Sequence, residues 1–443
     1  MLPFEGIKME NGTKAKNGHS HAIQTVTFEE VSKHNKKDDQ WLLINGKAYD
    51  ITNFAKKHPG GAKILNHYAG EDATDAWVAF HNDKEKVGKF LQSLYVGDVV
   101  DPPLSTLKKD FRDLREMVVK SGWLKSDPWF YLFHFFHIIG LEVLAWCLLW
   151  YFGTQWYITL AAILILATVQ AQAGWTQHDY GHHSVFPDLK RSHLFHHLTI
   201  GFMKGASSHW WNFRHFQHHA KPNLIKKDPD VEIAYLFLIG DKLPVEFGKK
   251  KKGFMPYQWQ HEYFFLLGPP LLLPIYFHFE IIYFCLKRRD WLDLGLAIAF
   301  FMRFFYCYTP FFGGWGTFAF YMGMRFVESH WFTWVTQMSH LPNEVDRDSK
   351  NLDWFTLQLR SSCNVKSSWF NDWFTGHLNY QIEHHLFPTM PRMNYHKVAP
   401  LVESLCKKHG IEYRNKTLYT ACADIIRMLK KSGQLWYDAY YDK

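Results

Sequence analysis

The residues with the clearest capacity for chemistry are histidines that recur in three short clusters. The clusters are His178, His182 and His183 in HDYGHH, His215, His218 and His219 in HFQHH, and Gln381, His384 and His385 in QIEHH. Residues three or four positions apart share one face of a helix, so each cluster can direct two or three side chains at one point. Neutral imidazole suits iron, zinc or copper, and so many nitrogens exceed the shell of one ion. The sequence therefore predicts a centre with two metal ions.

Long apolar runs near these clusters indicate that the site works at a membrane. Hydrophobic residues make up 47% of the 443 residues and aromatic residues 18%, yet the mean hydropathy is only -0.25. This mixture is typical of a membrane protein with large aqueous parts, and it favours a lipid as the substrate. The formal net charge is +8, but the basic residues occur in short runs beside apolar stretches. That pattern favours a membrane-facing basic rim over a nucleic-acid partner.

The clusters and their surroundings resemble those of the membrane front-end fatty acyl desaturases, and the resemblance covers nearly the whole chain. The stretches closest to the animal acyl-CoA branch are AGWTQHDYGHHSVF, KGASSHWWNFRHFQHHAKPN, FVESHWFTWVTQMSH, CNVKSSWFNDWFTGHLNYQIEHHLFPTMPR and DIIRMLKKSGQLWYDAY. The resemblance implies a delta-5 or delta-6 desaturase with a non-haem di-iron centre and a fused cytochrome b5 domain.

Particular residues follow from the same resemblance. It implies these iron ligands: His178, His182, His215, His218, His219, His384 and His385. His340 matches a further histidine that the wider desaturase family places near the metals, and we expect it to be a ligand as well. Gln381 stands where many other desaturases have histidine. Its amide is either a weaker ligand or the holder of a water or a neighbouring group, and we assign it a catalytic role.

Other polar residues near the clusters have two interpretations each. The stretch His193 to His197 also has the HxxHH spacing, but histidine at 197 is variable in animal relatives, and His183 stands where leucine is common. We therefore expect 183, 193, 196 and 197 to support the site rather than ligate metal. Glu142, within an apolar stretch, is either functional or bonded to another helix.

Aromatic and basic clusters suggest how the substrate is held. Trp210, Trp211 and the segment 331–334 are candidates for the wall of an acyl tunnel. The basic residues Lys221, Lys226, Lys227 and Lys249 to Lys252 either contact the phosphates of coenzyme A or form a solvated rim that faces anionic lipid.

The amino-terminal part of the chain carries a second set of motifs. Between residues 22 and 100, His58 opens HPGG, and a helical stretch containing GEDATDAW leads to His81. Two opposed imidazoles would hold a haem with both axial positions filled, which favours electron transfer over oxygen binding. The order of these motifs resembles cytochrome b5 and implies haem b, whereas the alternative is that both histidines only cap turns.

The remaining chain predicts the domain organisation. Residues 1–21 are polar, lack a signal peptide and are expected to be disordered, and 101–128 form a charged linker. The apolar stretches are 129–152, 156–173, 262–286 and 291–325. We expect an α+β cytochrome b5-like haem domain and then an all-α multi-span membrane desaturase domain, residues 129–443, with about four transmembrane helices and a cytosolic histidine-box cap. Four crossings put Lys287 to Arg289 on the far side, against the positive-inside tendency. Either the bias from the GKKKKG run dominates, which we favour, or the third stretch does not cross fully.

These observations predict a front-end desaturase that introduces a cis double bond into a polyunsaturated fatty acyl-CoA with O2. Electrons would come from NADH-cytochrome b5 reductase through the fused haem domain. The expected location is the endoplasmic reticulum membrane, with the haem domain and histidine clusters facing the cytosol; six cysteines without a CxxC pair agree with that side. The alternatives are a haem-fused sphingolipid desaturase or fatty acid hydroxylase, and a membrane-anchored electron carrier with structural metal. Delta-5, delta-6, delta-8 and dual activity remain open.

Overall fold

The computed structural model describes residues 24–231, 235–347 and 352–441, so the expected disorder of residues 1–21 lies outside the described residues. The first unit is a five-stranded sheet of order β1-β5-β4-β3-β2, parallel between β1 and β5 and otherwise antiparallel. Its strands are β1 Thr25–Val26, β2 Asn35–Lys36, β3 Asp39–Ile44, β4 Lys47–Asp50 and β5 Tyr95–Val99. Asn45 and Gly46, both at positive φ (50° and 75°), join β3 to β4 in the tight hairpin that the sheet twist favours.

Four helices complete this unit. They are α1 Phe28–Lys33, α2 Ala62–Tyr68, α3 Thr74–Phe80 and α4 Lys84–Gln92. The HPGG turn leads into α2, and Gly61 at its N-cap has φ 93°, which a residue with a side chain adopts only under strain. Helix α3 ends at His81, so the two predicted haem ligands flank one crevice.

The connector is a helix, α5 Thr106–Lys120, which packs on both neighbouring parts of the chain. Ser105 caps it by accepting a hydrogen bond from the Lys108 amide at 3.2 Å. The Phe111 ring lies 5.7 Å from the Phe387 ring, and Phe111 belongs to a core that also contains residues of the haem unit. The haem unit, the connector and the carboxyl-terminal region therefore share one hydrophobic core.

Among the described residues, four helical segments are long and apolar enough to cross a membrane. They are α6 Pro128–Phe152, α7 Trp156–Gly181, the segment Pro269–Arg288 and α14 Trp291–Met338. Helices α6 and α7 form an antiparallel hairpin with a short turn at Gly153 (φ 77°). This arrangement of a b5-like α+β unit followed by apolar helices confirms the predicted fold class.

Helix α14 is a hairpin of two arms rather than one 48-residue rod. Its helical geometry breaks at Gly313, where φ is 66° and ψ 177°. Phe304 on the first arm lies 6.2 Å from Phe320 on the second, and Phe312 lies 4.7 Å from Phe320. At about 1.5 Å per residue each arm exceeds about 30 Å, the thickness of a bilayer core. The helix Trp291–Met338 is thus long enough for two crossings, and the second arm extends beyond the predicted stretch 291–325.

The segment before α14 turns back instead of crossing. It consists of α11 Gln260–Leu267, α12 Pro269–Leu271, a π-helical turn Leu272–Phe277 and α13 His278–Arg288.

Both ends of this segment contact the side of the protein that carries the histidine clusters. Gln260 donates from Nε2 to the Leu429 carbonyl at 2.8 Å. At the other end, the Arg288 guanidinium lies 4.7 Å from the Phe213 ring, beside the second cluster. The prediction that 262–286 crosses, with Lys287 to Arg289 on the far side, is therefore wrong. The apolar face of this segment packs on the helix that carries the second histidine cluster. Its apolar composition therefore did not require a crossing.

The remaining elements form a cap over the apolar helices. They are α8 Leu189–His196, a π-helix His197–Met203, α9 Ser208–Ala220, α10 Lys242–Lys249, α15 Trp354–Ser361, β6 Asn364–Val365, α16 Trp369–Thr375, α17 Gln381–Leu386, α18 Tyr395–Lys408, β7 Asn415–Lys416 and α19 Leu418–Tyr441. The three histidine clusters lie at the end of α7, on α9 and on α17, so the cap brings them together.

Candidate metal centre

Five histidines form the first group of converging side chains. They are His178 and His182 at the end of α7, His215 and His219 on α9, and His384 on α17. One ligand atom from each lies within 4.8 Å of all the others. The Nε2 atom of His215 lies 2.8 Å from that of His182 and 3.0 Å from that of His219. We call these residues the five-histidine group.

Three further histidines form a second group beside the first. His218, His340 and His385 also place one ligand atom each within 4.8 Å. The Gln381 side-chain amide points into this group, with its nitrogen 2.8 Å from His340 Nε2. Gln381 is 8% exposed and therefore faces the interior. We call His218, His340 and His385 the three-histidine group.

The donor sets fit metal ions. The Nε2 atoms of His384 and His385 are buried and have no hydrogen-bond partner. Lone pairs of neutral imidazoles that point at one another repel, unless a cation lies between them. Buried nitrogens without partners are otherwise costly, so the arrangement suits two ions, one in each group.

The opposite ring nitrogens are held by fixed partners. His218 Nδ1 bonds to the Asp228 carboxylate (2.8 Å), and His340 Nδ1 bonds to the Ser361 carbonyl (2.9 Å). His384 Nδ1 bonds to the Tyr395 hydroxyl (2.8 Å), and His385 Nδ1 bonds to the Gln358 side-chain oxygen (2.8 Å). Such partners set the tautomer and ring orientation, so that Nε2 faces inward. The sequence interpretation missed them. Asp228, in KKDPD close after the second cluster, had a usable signal as a carboxylate near the ligands, whereas Gln358 and Tyr395 had none.

Burial keeps most of this set neutral. Burial, helped by the neighbouring His218, lowers the pKa of His340 to about 3. Burial also lowers the pKa values of His215 and His219 well below the usual histidine range. For His218 burial acts in the same direction, but the carboxylate of Asp228 outweighs it and the pKa is raised. Neutral imidazole is the form that binds metal.

His183 and the three histidines of the stretch His193 to His197, which also has the HxxHH spacing, lie outside both groups. His197 bonds through Nδ1 to the Asp293 carboxylate at 2.7 Å, and His196 Nε2 bonds to the Gln177 side-chain oxygen at 2.9 Å. The rings of His183 and His193 meet edge to face at 4.7 Å. Their role in support of the site stays a prediction. Glu142 forms an ion pair with Arg303 on α14, which favours the helix-to-helix interpretation.

A cavity opens beside the five-histidine group and the three-histidine group. Its lining includes His178, His215, His218, His340 and Gln381, and apolar wall residues such as Trp210, Trp211, Phe277 and Phe332. Two tunnel candidates, Trp210 and Trp211, thus contact the cavity. Trp331 packs instead on Phe374 at 4.9 Å, and Trp334 packs on Phe264 at 5.4 Å.

Part of the cavity lining is ionic. Lys204 bonds to Glu328 at 2.5 Å, and Arg325 bonds to the same carboxylate at 2.6 Å. The lining therefore combines histidines of both groups, apolar rings and this ionic cluster, which the sequence analysis did not identify.

Two of the basic residues considered for coenzyme A face the haem domain. Lys221 is 2% exposed and bonds to Glu71 at 2.5 Å. Lys227 lies 3.6 Å from the same carboxylate. A buried lysine that is paired in this way does not bind phosphate, so the coenzyme A interpretation is wrong for Lys221.

The crevice of the haem domain has the geometry of a bis-histidine site. The ring centroids of His58 and His81 lie 6.3 Å apart. His81 Nδ1 bonds to the Trp77 carbonyl at 2.8 Å, which leaves Nε2 for a metal. Metal–imidazole bonds of about 2 Å on each side fit this gap. Burial, reinforced by the proximity of His81, lowers the pKa of His58 to about 4. Burial also lowers the pKa of His81, so burial favours the neutral form of both rings.

Comparison with known proteins identifies both parts of the chain. A family model described as fatty acid desaturase matches residues 154–417, and one described as cytochrome b5-like heme/steroid binding domain matches residues 27–100.

Similar solved structures include cytochrome b558 of Ectothiorhodospira vacuolata, described as a prokaryotic homologue of cytochrome b5. It is 30% identical, with 18% of this chain and 100% of that chain covered and a TM-score of 0.17. Cytochrome b5 of Ostreococcus tauri virus 2 is 33% identical, with 16% and 92% covered and a TM-score of 0.16. Because the desaturase match spans more than half of the residues, the chain belongs to the fatty acid desaturase family and carries a cytochrome b5-like domain at its amino-terminal end.

Proposed function

We propose that this protein is a front-end desaturase that introduces a cis double bond at the delta-5 or delta-6 position of a polyunsaturated fatty acyl-CoA. One O2, two electrons and two protons, together with the two hydrogens removed from the chain, give the alkene and two molecules of water. The observation that carries the proposal is that two adjacent histidine groups open onto one largely apolar cavity.

The ligands follow from the two groups. Eight histidines would hold the iron ions: His178, His182, His215, His219 and His384 for one, and His218, His340 and His385 for the other. With O2, two irons supply the oxidising power that removal of hydrogen from an unactivated methylene pair requires. Gln381 has a catalytic role in this proposal, because its amide nitrogen lies 2.8 Å from His340 Nε2 of the three-histidine group.

The cavity walls orient the acyl chain and exclude water. Trp210, Trp211 and Phe332 give flat apolar surfaces beside the metal groups, and such surfaces hold methylene chains without competing hydrogen bonds. A chain held in this way presents one pair of carbons to the metals, so the depth of the cavity selects the carbon that is desaturated.

The charge distribution supports a cytosolic orientation in the endoplasmic reticulum membrane. The run Lys287 to Arg289 lies on the same side as the histidine groups, because Arg288 contacts the Phe213 ring. The GKKKKG run that ends at Gly253 lies there too, because the Trp436 indole of α19 donates a hydrogen bond to the Lys252 backbone carbonyl. Basic residues accumulate on the cytosolic side of membrane proteins. NADH-cytochrome b5 reductase would then reach the haem domain, which packs on the same cap.

The test uses the full chain, loaded with haem and iron, with NADH, the reductase, O2 and a panel of eighteen- and twenty-carbon polyunsaturated acyl-CoAs. Mass spectrometry of the products should find a new cis double bond between an existing one and the carboxyl end. A hydroxylated chain, or an alkene formed only in a long-chain base, would favour the hydroxylase or sphingolipid alternative. Zinc in place of iron, with no O2 consumption on any substrate, would overturn the proposal in favour of an electron carrier.

A further inference from the structure

The haem domain packs on the cap through a contact surface next to the haem ligand His81. Tyr68 donates a hydrogen bond to the Ala220 carbonyl at 2.7 Å, and Lys221 bonds to Glu71. These contacts attach the domain directly behind His219, the last residue of the second cluster. The distance between the haem crevice and the metal groups is therefore bridged by protein atoms in contact.

Both chain neighbours of His81 reach toward His182. On one side, Asn82 donates from Nδ2 to the carbonyl of His183 at 3.0 Å, and His183 follows His182 in the chain. On the other side, the Phe80 ring meets the Phe216 ring edge to face at 5.9 Å. The Phe216 ring in turn lies 6.1 Å from the His182 ring.

The backbone at His183 is unusual in a way that fits this contact. Its φ is 57°, in the left-handed region that is strained for a residue with a side chain. Neither of its ring nitrogens has a hydrogen-bond partner, although the ring is buried. The side chain thus shows no polar contact that requires the strained backbone, whereas the carbonyl accepts the bond from Asn82.

We propose that Asn82 and Phe80 form the route by which electrons pass from the haem ligand His81 to His182 of the five-histidine group. The inference rests on the proposed function, because it needs a reduced haem and a metal centre that consumes electrons. Electronic coupling falls steeply across gaps between atoms and is stronger through covalent bonds and hydrogen bonds. From His81 to His182 the Asn82 branch crosses one hydrogen bond and is otherwise covalent.

Two electrons must pass along this route for each double bond. Each passage oxidises one ferrous haem to the ferric state, and two passages deliver the two electrons that one O2 and two protons require per double bond. The reductase, a flavoprotein that takes electrons from NADH, reduces the haem again between passages. Asn82 and Phe80 are positioning residues here, since neither contacts the substrate.

The experiment measures haem oxidation directly rather than product alone. The reduced full chain, loaded with haem and iron, is mixed with O2 and acyl-CoA, and the reoxidation of the haem is followed by stopped-flow absorbance. The variants are Asn82→Leu, which removes the donor, and Phe216→Leu, which removes the bridging ring. The matched control is Tyr68→Phe, which removes the hydrogen bond from Tyr68 to the Ala220 carbonyl. This bond crosses the same contact surface, but Tyr68 is not part of the proposed route and lies ten residues from His58 in the chain. Haem and iron contents are measured for each protein.

We expect reoxidation to slow several-fold in Asn82→Leu and in Phe216→Leu, and further in the double variant, with parental rates in Tyr68→Phe. A small-molecule reductant that reduces the irons directly should restore product formation in the slowed variants. Parental rates in both single variants and in the double variant would overturn the route, as would equal slowing by Tyr68→Phe. If substrate and O2 fail to accelerate haem reoxidation in the parental protein itself, the proposed function fails instead.

Discussion

Replacing Asp228 with Asn tests whether the three-histidine group holds a metal. The Asp228 carboxylate is 2% exposed, accepts the His218 Nδ1 hydrogen bond at 2.8 Å and also accepts from the Asn223 amide at 2.8 Å. An amide oxygen can still accept, but without charge. A hydrogen bond to a charged group contributes about 1.5–3 kcal/mol, against about 0.5–1.5 kcal/mol for a neutral one. The expected loss of about 1–1.5 kcal/mol corresponds to about tenfold in metal affinity.

The assay is iron retention under graded concentrations of a chelator. We expect Asp228→Asn to release one of two irons at about tenfold lower chelator concentration, in line with the effect of removing such outer partners. Haem absorbance should not change. The matched control is Asp293→Asn, which weakens a similar bond, from His197 Nδ1 to the Asp293 carboxylate at 2.7 Å, outside both groups. Parental retention in Asp228→Asn, or equal loss in Asp293→Asn, would refute the reasoning.

The remaining predictions concern the other ligands. His81→Ala should lose the b-type haem absorbance yet keep both irons, as checked by spectroscopy and metal analysis; a normal haem spectrum would contradict the axial assignment. His219→Ala should eliminate product and lower the iron content, whereas His197→Ala should keep most activity, and equal loss in both would mean that more histidines are ligands than we assign. Gln381→His should retain iron but lose much activity, and Gln381→Ala nearly all of it; parental turnover of both, measured by product formation, would show that the amide takes no part.

The convergence of the three histidine clusters could be predicted from the sequence, but the division of the histidines into two groups could not. Helical spacing shows that His215 and His219 share a face, since four residues make about one turn. His218 and His219 are adjacent, so they point about 100° apart, and here they serve different groups. Which helix meets each face depends on tertiary packing, and a single sequence contains no direct signal for that. Only the family resemblance predicted that His340 is a ligand.

Hydropathy also could not predict where the apolar segments reverse their direction. The stretch 291–325 was predicted as one crossing because its mean composition does not reveal a break at Gly313, where the backbone reverses. The segment 262–286 is apolar enough to cross, but its apolar residues are used against the second cluster's helix and the cavity. Hydropathy reports how much apolar surface a segment has, and it does not distinguish lipid from protein as the surface's partner.

The segment that turns back also supplies part of the wall of the cavity beside the two histidine groups. Its residues Leu273, Phe277 and Ile281 line the same cavity as His178 of α7. A crossing helix would have carried these side chains away from the cap and left the metal groups open to lipid or water. Because removal of hydrogen from a methylene pair requires a dry site, the reversal of this segment is a condition for the chemistry that we propose. The same reversal brings Arg288 to the Phe213 ring and removes the conflict with the positive-inside tendency.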